Sequence, residues 1–158
     1  LKARGDRGEL FRWYEGDGRA VDVKDRHVNE YIQSIIGPEF TAKDFRTWAG
    51  TLLTSVVLGN KGQAGTKKAR KKKLQEAIAT TAMLLGNTPA VSRSSYICPR
   101  LLHDYEEGHD FEPMRRRVSP IPKTGQSDAE KALLRFLRET IADRRRRRRA
   151  TSARYVDR

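Results

Sequence analysis

The sequence contains little cysteine, few aromatic residues and no long apolar run. Cys98 is the single cysteine among 158 residues, so no disulfide can form within the chain. Because nothing points to an oxidising compartment, we expect a cytoplasmic protein. No segment approaches the roughly 20 apolar residues that a membrane-spanning helix needs. The sequence therefore gives no reason to expect a membrane partner.

Residues that bind metals or nucleotides are also scarce. His27, His103 and His109 do not have the spacing of a metal site, and one cysteine cannot complete a zinc site. No glycine-rich phosphate loop is present. We predict that the protein uses neither a metal nor a nucleotide cofactor.

Positive charge, in contrast, is abundant. Thirty-three lysines and arginines face 20 acidic residues, which gives a formal net charge of +13. This excess favours nucleic acid as a partner over the alternatives, a membrane surface or a solvated tail. With hydrophobic residues at only 37%, we expect one domain with a modest core and basic appendages. The sequence starts with Leu1 and not with methionine, and we expect it to be a fragment.

The hydrophobic pattern predicts a mainly helical fold with a short hairpin near the N-terminus. Two apolar segments, residues 10–14 and 19–23, flank a turn-rich spacer. Apolar residues at helical spacing then alternate with start and stop signals, such as the capping pair Thr41 and Asp44. The predicted helices cover about residues 25–36, 41–59 and 66–85, and a shorter one opens at Thr88-Pro89 and holds Tyr96.

Composition also indicates boundaries. We expect a core over residues 1–107, a proline-containing linker over 108–126, a C-terminal helix over 127–143 capped by Ser127 and Glu130, and a basic tail over 144–158. The tail begins with six consecutive arginines, residues 144–149. We interpret this tract as a flexible, nonspecific contact for DNA or RNA.

Two segments carry residues suited to phosphoryl chemistry: Lys-Asp-Phe-Arg-Thr-Trp-Ala-Gly at 43–50 and Gly-Asn-Thr-Pro-Ala-Val-Ser-Arg-Ser-Ser-Tyr at 86–96. The guanidinium of Arg46 presents a planar fork that can stabilise charge on a phosphoryl centre. The Tyr96 hydroxyl can attack that centre, and a phenol with a pKa of roughly 10 is also a good leaving group. This pair suits reversible cutting and resealing better than hydrolysis.

At these residues the chain resembles the catalytic domain of type IB DNA topoisomerases of the bacterial and poxvirus-like kind, which are relatives of the tyrosine recombinases. The resemblance is strongest over about residues 9–105. It implies that Tyr96 forms a 3′-phosphotyrosyl intermediate, expels a 5′ hydroxyl, and lets supercoiled DNA relax before religation without ATP or metal. It also implies that Arg46 contacts the scissile phosphate, that the partner is double-stranded DNA, and that the protein is a nucleoid-associated monomer.

Asn87 departs from the pattern of the poxvirus and eukaryotic relatives, which have a histidine at this place, nine residues before the tyrosine. An asparagine amide can donate a hydrogen bond to a phosphate oxygen, but it cannot exchange protons near neutral pH. Gly-Asn-Thr-Pro is equally a good stop and restart signal for helices. Both interpretations of Asn87, as a catalytic stabiliser and as a structural turn residue, stay open.

Basic residues near these motifs are candidate DNA contacts. Lys43 comes one helical turn before Arg46, although an exposed lysine beside Asp44 needs no function. A second group lies at the start of the third predicted helix, where the helix dipole disfavours positive charge. We predict that this group lies near DNA, with a solvated basic helix start as the alternative; it includes Lys67, Lys68, Arg70 and Lys71.

The resemblance is incomplete. The family uses a further arginine and a general-acid lysine on an upstream hairpin, and nothing before Leu10 matches either. Because a positioned general acid contributes about 10²–10⁴-fold, we expect this stretch alone to cleave DNA slowly or not at all. Two alternatives remain. One is a tyrosine recombinase, which usually has histidine where this chain has Lys43, and the other is a non-catalytic basic module that binds nucleic acid.

Overall fold

The computed structural model describes residues 11–115 and 126–156. The chain divides into two compact units, Leu1–Phe45 and Arg46–Arg158. The described elements confirm the predicted mainly helical class with an N-terminal hairpin. None of the described helices is long and apolar enough to cross a membrane.

The first unit contains the hairpin. Strand β1 (Arg12–Tyr14) pairs antiparallel with β2 (Ala20–Asp22), and Trp13 lies opposite Val21. Gly18 adopts φ +82° in the connecting turn, a conformation that side chains with a Cβ rarely adopt. An ion pair between Arg12 Nε and Asp22 Oδ1 (2.8 Å) joins the two strands. The hairpin predicted from the turn-rich spacer is therefore present.

Helix α1 (Asp25–Ile36) follows the hairpin within the first unit. It ends at Gly37, whose φ is +119°, immediately before Pro38, as the stop signal predicts. The helix is amphipathic, yet none of its residues is buried, and Tyr31 is 68% exposed. The apolar face of α1 is thus much more exposed to solvent than the apolar faces of the helices that follow it.

Helices α2 (Ala42–Lys61) and α3 (Lys67–Leu85) build most of the second unit, and the division between the units falls in the first turns of α2. The two helices run antiparallel, because Thr54 bonds Thr81 (2.9 Å) while Lys61 pairs with Glu76 (2.7 Å). The predicted capping signals are present: the Asp44 carboxylate accepts from Thr41 at the start of α2. These bonds hold the pKa of Asp44 below its ordinary value.

The chain after α3 forms shorter elements. Gly86 closes α3 with φ +66°, and the Thr88 hydroxyl accepts from Val91 N–H to open the next helix. That helix, α4 (Pro89–Val91), continues as a π-helical turn, which ends at the candidate nucleophile. The remaining described elements are the π turn Ser92–Tyr96, α5 (Pro99–Glu106), a 3₁₀ turn (Glu112–Met114) and α6 (Asp128–Val156).

One apolar core joins the helices of the second unit, with contributions from Leu58 of α2, Leu74 of α3 and Leu101 of α5. Phe111 and Met114 are also fully buried in this core, although the sequence placed them in a linker over 108–126. Burial of these two apolar side chains favours packing of the segment against the core, although Pro113 between them is typical of a loop. The segment therefore packs as part of the core as far as Met114, while residues 116–125 lie outside the described ones.

Helix α6 is longer than the sequence indicated. It continues past the predicted end at residue 143 to Val156, so the backbone of the arginine tract is helical and not a tail. Arginine is a good helix former, and positive charge is favourable near a helix C-terminus. Most side chains of the tract at 144–149 lie outside the described residues. The tract is therefore part of a helix, and its contact with DNA or RNA stays a prediction.

Candidate active site

Arg46 lies in α2, and its guanidinium is exposed at the end of α3. Its Nη2 group donates to the carbonyl of Leu85 at 2.5 Å. Leu85 is the last residue of α3, and the final carbonyls of a helix have no partner within it. Arg46 therefore binds a carbonyl that carries the negative end of the helix dipole, which also helps to hold the guanidinium in place.

Tyr96 ends the π turn, and its side chain is half-buried. The guanidinium carbon of Arg46 lies 5.0 Å from the centroid of the Tyr96 ring, a cation–π arrangement. Single turns of π-helix occur frequently at functional sites. The structure thus brings together the two residues that the motifs singled out, although 50 positions separate them in the sequence.

Asn87 contacts the same carbonyl as Arg46. Its Nδ2 group lies 3.4 Å from the carbonyl oxygen of Leu85, so two donors converge on one acceptor. Asn87 also occupies the turn between Gly86, which closes α3, and Thr88, which opens α4. Both interpretations of Asn87 agree with this position, since the turn residue and the neighbour of the guanidinium are the same side chain.

The backbone around Tyr96 packs closely against one face of α2. The Thr47 hydroxyl donates to the Ser95 carbonyl (3.5 Å), and the Thr51 hydroxyl accepts from Cys98 N–H (3.0 Å). Between them lies Gly50, where a Cβ would stand closer to the Tyr96 carbonyl oxygen than real Cβ atoms do. No role was predicted for Gly50, the last residue of the arginine motif, or for Thr51, which follows it. The signal that could have found them is a glycine followed by a hydroxyl-bearing residue, about one helical turn after Arg46.

A second contact anchors α2 close to the arginine. The indole Nε1 of Trp48 donates to the Glu130 carboxylate (3.2 Å), which also accepts from the backbone and hydroxyl of Ser127. The bonds from Ser127, followed by that from Trp48, keep the pKa of Glu130 below its ordinary value. The cap of α6 is therefore tied to α2 two residues from Arg46.

The basic group at the start of α3 consists of two kinds of residue. The side chains of Lys67, Lys68 and Lys71 are exposed. Arg70, in contrast, is half-buried and donates to two backbone carbonyls, those of Glu106 (2.8 Å) and Ala64 (3.1 Å). Its bonds tie α3 to the end of α5 and to the loop before α3.

The remaining predicted site residues stand as follows. Lys43 is exposed in the first turn of α2, within the first unit. Among residues 11–115 and 126–156, no group of three or more His, Cys, Asp or Glu side chains is arranged to hold a metal ion. The DNA-binding roles of Lys43, Lys67, Lys68, Arg70 and Lys71 stay predictions.

The motifs indicated a type IB DNA topoisomerase. The helical scaffold, with an arginine bound to a helix end and set against a tyrosine ring, agrees with that class of protein. The family model of the catalytic core of eukaryotic DNA topoisomerase I matches residues 2–109. Because this match covers more than half of the chain, the chain belongs to that family.

A particular relative supports the assignment. The chain is similar to the DNA topoisomerase 1B of Acanthamoeba polyphaga mimivirus, with 35% identity over 128 residues. The alignment covers 77% of this chain and 38% of the viral protein. The chain thus spans well under half the length of the relative that it matches.

Proposed function

We propose that the chain supplies the nucleophile and one phosphate-binding arginine of a type IB DNA topoisomerase acting on double-stranded DNA. The observation that carries the proposal is the position of the Arg46 guanidinium, 5.0 Å from the centre of the Tyr96 ring. A phosphate that approaches the Tyr96 hydroxyl comes within reach of a permanently charged donor group. The family assignment supplies the reaction to which this geometry is suited.

In the proposed reaction, the Tyr96 hydroxyl releases its proton to water, and its oxygen forms a bond to the phosphorus of a backbone phosphodiester. The bond from phosphorus to the 5′ oxygen breaks, and that oxygen leaves as a hydroxyl after taking up a proton. The bond energy is kept in a 3′-phosphotyrosyl ester, so the same 5′ hydroxyl can attack later and release the tyrosine. Between the two steps the free end rotates and superhelical strain is lost.

Arg46 stabilises the charge that grows on the non-bridging oxygens during both steps. Its guanidinium carries several N–H donors, so it can bind an incoming phosphate while Nη2 holds the Leu85 carbonyl. Asn87 adds a neutral amide beside it, directed at the same carbonyl. An amide can donate to a phosphate oxygen but cannot serve as the general acid, so we expect the leaving oxygen to take its proton from another group.

The decisive experiment is relaxation of negatively supercoiled plasmid in EDTA without ATP, with the protein at its full natural length and with Tyr96→Phe as the matched control. We expect relaxation and an SDS-stable DNA adduct with Tyr96 only. Phenylalanine keeps the ring beneath Arg46 and removes only the hydroxyl, so DNA binding should be retained. Equal adduct levels in the two proteins would remove Tyr96 from the mechanism. Tight, salt-sensitive binding without relaxation would instead favour a recombinase or a non-catalytic module.

A further inference from the structure

Helix α2 contacts the tyrosine segment at successive positions along one face. Arg46 lies over the Tyr96 ring, Thr47 bonds the Ser95 carbonyl, and Thr51 accepts from Cys98 N–H. Gly50 allows the Tyr96 carbonyl to approach the helix closely. One rigid element therefore holds both the arginine and the backbone on either side of the tyrosine.

The Cys98 N–H needs a side-chain acceptor, the Thr51 hydroxyl, because the π turn ends at Tyr96. Ile97 is extended (φ −117°, ψ 128°), and α5 begins only at Pro99. The chain between the two helices therefore lacks the regular helical acceptors, and a buried N–H without a partner is costly. Thr51 is 3% exposed and Cys98 is half-buried beside the 2% exposed Ile97, so water has little access to this bond.

We propose that Thr51 is a positioning residue for the nucleophile. Its bond to Cys98 N–H fixes the backbone two residues after Tyr96 to the helix that carries Arg46. Thr51 lies five positions after Arg46 on the same helix, about 7.5 Å along its axis, so the connection between them is short and stiff. The hydroxyl thereby sets where the Tyr96 oxygen lies relative to the arginine. This inference rests on the proposed role of Tyr96.

A purely structural role for Thr51 makes a different prediction, and the chain offers a matched control. Thr54 lies on the same helix, is 0% exposed, and also makes a buried side-chain bond, to Thr81 of α3. The same hydroxyl donates to the Gly50 carbonyl within α2 (2.8 Å), and neither bond reaches the tyrosine segment itself. Thr51→Val and Thr54→Val each remove one buried hydroxyl with little change of shape, so their losses of stability should be similar.

The first test measures single-turnover formation of the covalent DNA adduct by the protein at its full natural length. Since a misplacement of about 1 Å can cost 10²-fold in rate, we expect Thr51→Val to slow cleavage by roughly 10- to 100-fold with unchanged DNA affinity. Thr51→Ser, which keeps the acceptor, should restore most of the rate. Thr54→Val should melt earlier but cleave at the wild-type rate. Wild-type cleavage by Thr51→Val, or equal slowing by Thr54→Val, would overturn the proposal.

The second test does not depend on activity. In the chain with ¹³C-labelled tyrosine, the ring resonances of Tyr96 should shift in Thr51→Val and stay in place in Thr54→Val and Thr51→Ser. Unchanged Tyr96 resonances in Thr51→Val would overturn the positioning role whether or not DNA is cleaved. Failure of the proposed function has a separate signature, since no Tyr96-dependent adduct would then form in the wild-type protein.

Discussion

The two ends of the antiparallel pair α2 and α3 show the same interaction used in two ways. At one end, Arg46 of α2 donates to Leu85 O, the last carbonyl of α3. At the other end, Lys73 of α3 donates to three carbonyls at the end of α2 and in the loop that follows: those of Lys61 (2.7 Å), Gly62 (3.1 Å) and Gln63 (3.0 Å). In each case a cation binds the negative end of the neighbouring helix.

The two cations differ in how many N–H donors remain free for another ligand. Lys73 is half-buried, and its three bonds use every proton of its ammonium group. Arg46 is exposed, keeps further donors on its guanidinium, and faces the Tyr96 ring. We infer that the Lys73 end contributes stability, whereas the Arg46 end is held in place with donors available for a phosphate.

Replacement of Arg46 tests this contrast with the largest expected effect. Arg46→Ala should lower the rate of DNA cleavage by about 10²–10³, the loss typical of one preorganised donor at a developing negative charge. Its melting temperature should change little, because the side chain is exposed and the Leu85 carbonyl can bind water instead. Single-turnover cleavage and thermal unfolding of the same preparation provide the two measurements.

Arg46→Lys is the matched control, since it keeps the charge but loses the planar fork. We expect it to recover only part of the lost rate. A folded Arg46→Ala protein that cleaves as fast as wild type would exclude Arg46 from the reaction. If Arg46→Ala lowered the melting temperature as much as replacement of Lys73 does, both ends of the helix pair would be structural.

Local signals in the sequence predicted much of this arrangement. The caps of α2 and α4 followed from Thr41 and Thr88, and the αL stop of α3 at Gly86 followed from the glycine. The two motifs at 43–50 and 86–96 together predicted that Arg46 and Tyr96 act at one site. Such signals depend on residues close in sequence and on chemistry that few residue types provide, so they are visible without coordinates.

Contacts across long separations were not predictable in the same way. Nothing local shows that Arg70 binds the carbonyl of Glu106, 36 positions away. Phe111 and Met114 are surrounded by loop residues, and only the core that they enter explains their burial. The small residue at Gly50 has meaning only once Tyr96 lies against it. In each case tertiary packing decides the role.

Replacement of Lys73 is the next largest test. Lys73→Met keeps most of the aliphatic side chain and removes the donors, so the end of α2 loses its cap. We expect a loss of about 1–2 kcal/mol, or roughly 2–8 °C in melting temperature for a chain of this size. DNA cleavage at temperatures where the protein is folded should be unchanged.

Lys72, its exposed neighbour on α3, provides the control for charge alone. Lys72→Met removes the same charge but leaves the carbonyls of α2 bound, and its melting temperature should stay near that of wild type. If the two variants melt together, the three bonds of Lys73 add no measurable stability. If Lys73→Met instead slows cleavage, the distal end of the pair would be part of the active site.

The exposed lysines at the start of α3 give the smallest and most specific effect. Within the described part of the chain, Lys67, Lys68 and Lys71 make no side-chain bond, and they lie at a helix end where the dipole opposes their charge. If each contacts one phosphate, replacing all three by glutamine should reduce the slope of log K against log salt by about 0.9 per contact. The matched variant replaces three exposed cations of α6 instead: Lys131, Arg135 and Arg138. An equal reduction of the salt slope in both variants would show that only net charge matters. A reduction confined to the α3 variant would place the DNA along the start of α3. That part of the helix is held in position by the bonds of Arg70 and Lys73.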